Sequence, residues 1–461
     1  MRVTTDVASL RSGFDGQILQ PGDDGYDESR RIWNGMIDRH PAVIARCTAA
    51  ADVAAAVRFG RSGGLEIAVR GGGHGVAGYA VPEGGLMVDL SPMNKVRVDA
   101  DRRRAWVQGG ALLGSLDQAS QRFGLATTAG NVSHTGVGGL TLGGGMGWLA
   151  RLHGLACDNV ESYEVVTADG TIERASATQN PDLFWGLRGG GGNFGVVTEF
   201  EFRLHRVGAA TMTADLFFTP EAAPRALRRW RDLLPEAPRQ ATFTASAVTA
   251  GDLPFVPLEL QGKAMVSIGF VWIGDPEQGQ KLLPALREAG PVAERIRPLT
   301  YVELQQVDDN PQGHGRSRYW KSHYLRELGD DAIDAFVSRG DPTGEIDAAL
   351  LASGDLQAWG GEIAATGHDE SAFSHRDALV EFVARNGWVA PDDGQHRIAL
   401  ARRYGAAIEP FASGAYVNDI TDAGEAGVQS AYGSDNLARL AKVKARYDPD
   451  NVFHLNHNIR P

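Results

Sequence analysis

RGGGGNFGVVTEF, residues 188–200, decides how this chain is read. Gly190, Gly192 and Gly195 fit the G-x-G-x-x-G spacing of a dinucleotide-binding turn. Such a turn must leave a strand and open a helix, so that phosphate meets the helix N-terminus. Here VVTEFEF follows, and its β-branched and aromatic residues predict a strand. The Rossmann reading therefore fails, and with it a nicotinamide-dependent reductase. No G-x-x-x-x-G-K-[ST] is present either, which argues against ATP hydrolysis.

Two further glycine-rich stretches lie upstream, RGGGHG (70–75) and GVGGLTLGGGMG (136–147). Glycine lets backbone N–H groups converge on phosphate oxygens with no Cβ in the way. Three such loops in one region suggest a long polar ligand along exposed backbone; the plainer alternative is a set of sharp turns. His74 stands inside the first loop. A neutral imidazole is a nucleophile as well as an acid–base group. It could touch the reactive ring of such a ligand, or simply be a turn histidine bonded to backbone. Cys157, in HGLACDNV, reads alone as a small buried apolar residue.

A chain of 461 residues is too long for one ordinary core, so two domains are expected. Its 58 glycines follow no collagen-like period and cluster instead. A net charge of −12 argues against nucleic acid as the main partner. No apolar run is long enough to span a membrane, and the N-terminus lacks an apolar signal core, so a cytoplasmic protein is expected. Two cysteines exclude a disulfide framework beyond one bridge. Without CxxC or HExxH, a metal site has little support.

Residues 1–207 read as mixed α/β. ADVAAAVRFGRSGG and ALLGSLDQASQRFG predict helices, LEIAV, LMVDL, KVRVD and RAWVQ predict strands, and VVTADGTIE predicts a hairpin turning at Asp169-Gly170. From 208 to 413, strands (TFTASAV, AMVSIGFVWIG, LQAWGGEIA) alternate with amphipathic helices (PEAAPRALRRWRDLL, DPEQGQKLLPALREAG), which predicts a second domain with a sheet backed by helices. In residues 414–461, SDNLARLAKVKARYDPDNVF predicts a helix that stops at Asp448-Pro449 before a polar tail.

Taken in order, RGGGHG, GVGGLTLGGGMGWLARLHGLACDNV, PDLFWGLRGGGGNFGVVTEF and YDPDNVFHLNHNI resemble the berberine bridge enzyme-like branch of the vanillyl alcohol oxidase flavoproteins. The short chain and the ending NHNIRP look most like its bacterial members. The resemblance implies an α+β fold: a PCMH-type FAD-binding domain of two subdomains, with its core at about 38–207, and a substrate domain with an antiparallel sheet. Residues 414–461 would return to the FAD domain. It further implies FAD bound covalently, with His74 on the 8α-methyl and Cys157 on C6. In the bacterial relative this chain looks most like, only the histidine link is expected, so Cys157 is a departure. The implied cradle is Gly71, Gly72, Gly73, Gly75, Gly78, Gly138, Gly139, Gly143, Gly147, Gly192 and Gly195, with Arg70, Val76, Asn159, Asn193, Val197, Asn456 and Asn458.

Val160 stands where the family's oxygen gatekeeper is expected, and its small branched side chain implies an oxidase. Many relatives use the last tyrosine of Y-x-N-Y as base. Here Tyr416-Val417-Asn418-Asp419 puts a carboxylate there, and burial can raise its pKa for base work. Asp419 is thus the candidate base, Tyr416 its neighbour. A glutamate base known in the plant namesake falls on Ala365, and Glu362 points away if the strand has no bulge. Without a base, a neutral amine would be the favoured substrate. Tyr319, Trp320, Tyr324 and Trp359 are expected to stack on a ringed substrate. The expected activity is oxidation of a small alcohol or amine, or an oxidative cyclisation, with O2 reduced to H2O2 by a monomer or homodimer. A dehydrogenase with another acceptor and a silent flavin- or metabolite-binding protein are the alternatives.

Overall fold

The computed structural model describes residues 6–251, 255–309, 313, 315–389, 393–422 and 424–461. Three sheets carry the fold. The first holds β1 (Gln17–Leu19), β2 (Val43–Arg46), β3 (Ile67–Arg70) and β4 (Leu86–Asp89) in the order β1-β2-β4-β3. β2 and β3 both run parallel to β4. Parallel strands need a crossover, and the helix Ala50–Ser62 supplies it between β2 and β3. Its buried stripe, Val53, Ala56, Val57 and Gly60, is the apolar face read from the sequence.

The second sheet holds β5 (Val96–Asp99), β6 (Arg104–Gln108), β7 (Val160–Val166), β8 (Ile172–Ser176) and β9 (Val196–Arg203), ordered β5-β6-β9-β7-β8 and antiparallel throughout. β7 and β8 form the expected hairpin, with Gly170 at φ +79° in its turn. The loop at 188–195 runs straight into β9.

A seven-stranded antiparallel sheet follows: β10 (Ala210–Phe218), β11 (Ala241–Thr249), β12 (Ala264–Ile273), β13 (Ala293–Thr300), β14 (Ser317–Leu325), β15 (Ser353–Ala358) and β16 (Val380–Trp388), ordered β13-β10-β12-β11-β15-β16-β14. Side chains alternate between faces. One face packs Leu216, Phe243, Phe382 and Ala384 against helices that contribute Leu227, Trp230, Phe336 and Tyr404. The other face is polar and turns toward the glycine loops. The architecture is α+β, as expected.

Two expectations fail locally. DPEQGQKLLPALREAG forms two short helices, Pro276–Gln280 and Leu283–Arg287, because Pro284 has no N–H to continue one helix and instead sits near the start of the second. The stretch read as a strand through GGEIA ends at Ala358, and Glu362–Ala365 is helical. Gly360 at φ +88° and Gly361 at φ +58° turn the chain out of the sheet. Ala365 is therefore exposed at a helix end, and Glu362 pairs with Arg239.

The helix Ser434–Tyr447 carries the C-terminal segment back to the first two sheets. Lys444 and Asp448 form an ion pair of 2.6 Å with both side chains fully buried. Lys444 Nζ also donates to the carbonyls of Asn193 (2.8 Å) and Phe453 (2.9 Å). One buried cation thus ties helix, glycine loop and tail together. Among the described residues, no helix is long and apolar enough to cross a membrane.

Candidate active site

The three glycine loops and the polar face of the large sheet enclose one cavity of about 740 Å³. Gly72 and Gly136 approach so closely that a Cβ on Gly72 would lie 2.5 Å from the Gly136 backbone. At Gly75, Gly139 and Gly192 the reverse holds: a Cβ would meet nothing within 4 Å. These glycines leave bare backbone facing open space, which is the form of a cradle for a ligand rich in acceptors. Asn193 fixes the third loop. Its Nδ2 donates to Gly190 O (2.8 Å), and its Oδ1 accepts from the Ile459 N–H (2.9 Å). Asn456 donates to the Gly192 (3.3 Å) and Phe453 (2.9 Å) carbonyls, while its buried Oδ1 has no partner.

His74 leaves β3 through Gly73, which holds φ +66° and accepts a hydrogen bond from the Trp33 N–H at 3.0 Å. The indole of Trp33 stacks on the imidazole with ring centroids 3.9 Å apart and planes inclined by 17°. His134, from the second loop, lies with its ring 5.0 Å from that of His74. The histidine is thus flanked by rings while lining the cavity.

The large sheet and the C-terminal segment supply the acid–base groups of the cavity. Glu381 on β16 is 5% exposed and accepts from Ser322 Oγ at 3.3 Å. Asp419 sits in the short 3-10 turn Val417–Asp419 and hydrogen-bonds to Glu381. Two carboxyls in hydrogen-bond contact must share a proton, because both ionised would repel in a poorly solvated site. Burial pushes Asp419 up to about 6, opposed by Arg385 and by the bond from Glu381. Burial, then the charge of Asp419, push Glu381 up further.

Tyr416 acts as a clamp. Its phenol oxygen accepts from the backbone N–H of Gly145 (2.9 Å) and Met146 (3.2 Å) and from Asn418 Nδ2 (2.9 Å). Burial raises its pKa far above the ordinary phenol range, so it is held neutral. Trp320 on β14 lines the cavity on the same wall.

Comparison with known proteins places this arrangement. Residues 41–176 match a model described as an FAD binding domain, and residues 415–460 match one described as berberine and berberine like. The (R)-6-hydroxynicotine oxidase of Paenarthrobacter nicotinovorans is 30% identical over 97% of each chain. A crystal structure of 6-hydroxy-D-nicotine oxidase from Arthrobacter nicotinovorans superposes with a TM-score of 0.87 at 29% identity, covering 99% of this chain and 100% of that one. A solved structure of glucooligosaccharide oxidase from Acremonium strictum, described as holding 6-S-cysteinyl, 8α-N1-histidyl FAD, gives 0.86 at 26% identity over 98% and 99%.

The chain is a berberine bridge enzyme-like FAD-linked oxidase.

The cavity of this FAD-linked oxidase fits its cofactor: bare glycine backbone, an unpaired Asn456 acceptor and a cavity-lining histidine converge on one space. Of the residues expected to hold FAD, Gly71, Gly72, Gly73, Gly75, Val76, Gly78, Gly138, Gly139, Gly143, Gly192, Asn193, Gly195, Val197 and Asn456 line it together with His74. Arg70 lies beside it, donating to Ser29 O at 2.6 Å and lining a smaller adjoining space.

Others lie elsewhere. Cys157 does not share the cavity with His74. Its thiol is fully buried in the core with Tyr163 and Phe373, 3.7 Å from Asp158 Oδ1. The 3-10 turn Ala156–Asn159 directs it there, with the Cys157 N–H bonded to Gly144 O at 2.9 Å. Burial first, then Asp158, push its pKa up and keep it a thiol. A sulfur bonded to a flavin must face that flavin's cavity, and the Cys157 thiol lies outside the lining of this one. Val160 opens β7 and is buried in the same core, outside the cavity lining. Asn159 is fully used in its own loop, donating to His153 O (3.0 Å) and Leu155 O (2.9 Å) and bonded to His205 Nε2 (2.6 Å). Gly147 is a packing glycine: a Cβ would overlap Ala129 O. Asn458 lies outside the cavity lining.

Of the expected substrate aromatics, only Trp320 lines the cavity. Tyr319 points to the helix-backed face, as alternation along β14 requires, and donates to Asp422 Oδ1 at 2.7 Å. Tyr324 and Trp359 pack against each other, ring centroids 4.9 Å apart, within the core behind Tyr416. Sequence reading missed Glu381, Trp33 and the charged residues of the sheet face. For Glu381 and Arg385 the alternation with Val380, Phe382 and Ala384 on β16 marks a second face without saying what it meets, and Trp33 carries no such signal.

Proposed function

We propose that this chain oxidises a small organic alcohol or amine at carbon and uses O2 as the acceptor, with FAD attached through His74. The observation that carries the reading is the hydrogen-bonded Glu381–Asp419 pair lining the same cavity as His74. FAD held by the glycine loops and His74 would supply the two-electron oxidant for the substrate carbon, with O2 as the final acceptor.

The chain's own residues do the rest. The carboxylate shared by Asp419 and Glu381 takes the hydroxyl proton as the C–O bond gains double-bond character; the other carboxyl keeps its proton and its hydrogen bond. General base work of this kind contributes typically 10²–10⁴-fold. Because a base stands on the wall, an alcohol is favoured over a neutral amine. Tyr416, locked by three donors, holds the Gly145 and Met146 backbone and so positions the second loop. Trp33 holds the imidazole of His74 in its stacked orientation. O2 as acceptor is supported by the oxidases among the relatives. A single tether is favoured because Cys157 lies in the core.

The test is peroxide release by purified protein across a panel of alcohols and amines, alongside Asp419→Asn and Glu381→Gln. A yellow protein that releases peroxide from an alcohol and loses that turnover in both variants supports the reading. A colourless protein, or turnover unaffected by either variant, removes it.

A further inference from the structure

The cavity side of the large sheet carries more charge than oxidation at one carbon needs, and most of that charge is neutralised in place. On the edge strand β13, Arg295 donates from Nε and Nη2 to Asp215 Oδ2 at 3.2 and 3.0 Å. Arg385 pairs with Asp355 at 3.3 Å. Arg385 has that ion pair although its Nε makes no hydrogen bond; among the described arginines of this wall, Arg297 differs in forming no ion pair with a carboxylate. It follows Arg295 by two residues and lines the cavity, yet its Nε and Nη2 are buried without a hydrogen-bond partner. Its cross-strand neighbour in register is Thr213, 5% exposed, whose hydroxyl also has none. Gln357 Nε2, further along the same wall, is a third donor in that condition. Asp215 and Asp308 attract Arg297 without forming an ion pair with it, and Arg295 repels it.

Buried donors without acceptors cost stability, and a guanidinium more than a neutral group. A site that keeps such donors is complete only when a ligand brings acceptors. The planar guanidinium fork matches two oxygens of a carboxylate or similar oxyanion. A row of residues in register, Asp215, Gly269, Thr244, Gln357 and Glu381, joins this end of the wall to the acid–base pair. From β13 to β16 the path crosses five strand spacings, about 24 Å along the sheet at ~4.8 Å each.

We propose that the substrate is an elongated organic anion, its carboxylate or other oxyanion held by Arg297 and Thr213 while its reacting end lies at Glu381 and Asp419. The oxidase reading above fixes only where the reacting end lies; the anion site stands on the unpaired donors.

The experiment uses the holoenzyme and Arg297→Met, Arg297→Lys and Thr213→Val variants. Melting temperature is read in acetate, sulfate and phosphate against chloride at constant ionic strength; the three anions separate a carboxylate site from a sulfate or phosphate site. The wild type is expected to gain a saturable stabilisation from at least one oxyanion. Arg297→Met loses that response, yet in chloride is at least as stable as wild type, since it removes two buried donors that have no partner. Arg297→Lys retains part of the response. With an acidic alcohol that releases peroxide, Arg297→Met raises KM roughly 10- to 100-fold and leaves kcat within about twofold. A wild type indifferent to all three anions overturns the proposal, as does an Arg297→Met variant that responds like wild type. Turnover of neutral substrates only, with KM unmoved by Arg297→Met, overturns it too. Anion stabilisation that depends on Arg297 without peroxide from any acid sustains the anion site and defeats the oxidase reading alone.

Discussion

Trp33 lies flat on His74, ring centroids 3.9 Å apart, and the guanidinium of Arg318 lies 3.8 Å from the Trp33 ring centroid. An N-terminal segment therefore reaches into the cavity and packs against the histidine that lines it. Stacked aromatic pairs contribute about 0.5–1.5 kcal/mol beyond their buried area. Trp33→Ala should slow covalent flavin attachment about 2- to 10-fold, with Trp33→Phe close to wild type. Acid-precipitated, fluorescent protein followed against time after adding FAD to apoprotein measures it. Equal rates in all three proteins would leave the stack without a role.

The shared-proton pair predicts a large kinetic effect. Asp419→Asn and Glu381→Gln should each lower kcat about 10²–10⁴-fold with KM little changed. Their double variant should cost no more than the worse single one, because the two carboxyls act as a unit. Steady-state peroxide release checks both statements.

The same pair predicts a pH dependence with a definite sign. With Asp419 raised to about 6, kcat/KM should rise through about pH 6 as the base ionises. For stability the sign is opposite. A carboxyl whose folded pKa is raised binds more protons folded than unfolded, so its stabilising contribution is present below about pH 4 and lost as pH climbs through about 6. The melting temperature of wild type relative to Asp419→Asn should therefore fall between pH 4 and 7.

Lys444 and Asp448 predict a structural effect at a distance from the chemistry. Lys444→Met leaves Asp448 buried without its cation and frees the Asn193 and Phe453 carbonyls. Breaking such a pair costs about 3–5 kcal/mol. Asp448 keeps its bonds from the Val452 and Phe453 N–H groups, so the tail loosens from the glycine loop first. Limited proteolysis should cut within residues 449–461 in the variant and spare wild type.

Much of this was legible in the sequence, for physical reasons. Strands and helices followed from apolar period, and β9 declared itself because VVTEFEF cannot open a helix. The glycine cradle was legible because glycine has few other reasons to cluster so densely. The placement of Cys157 was not legible because a core thiol and a cavity thiol are spelled alike; the inward 3-10 turn Ala156–Asn159 puts it in the core. Glu381 was missed because VEFVARNGW reads as an ordinary buried strand, and nothing local says that its second face meets a cavity rather than solvent. Tyr319 and Trp320 show the same gap: adjacent aromatics, opposite faces, one at the site.

The most direct measurement of the central claim is the intact mass of denatured wild type, His74→Ala and Cys157→Ala. Wild type and Cys157→Ala should each carry one FAD through acid denaturation, and His74→Ala none. Flavin released whole from denatured wild type, or retained by His74→Ala and lost from Cys157→Ala, would contradict it.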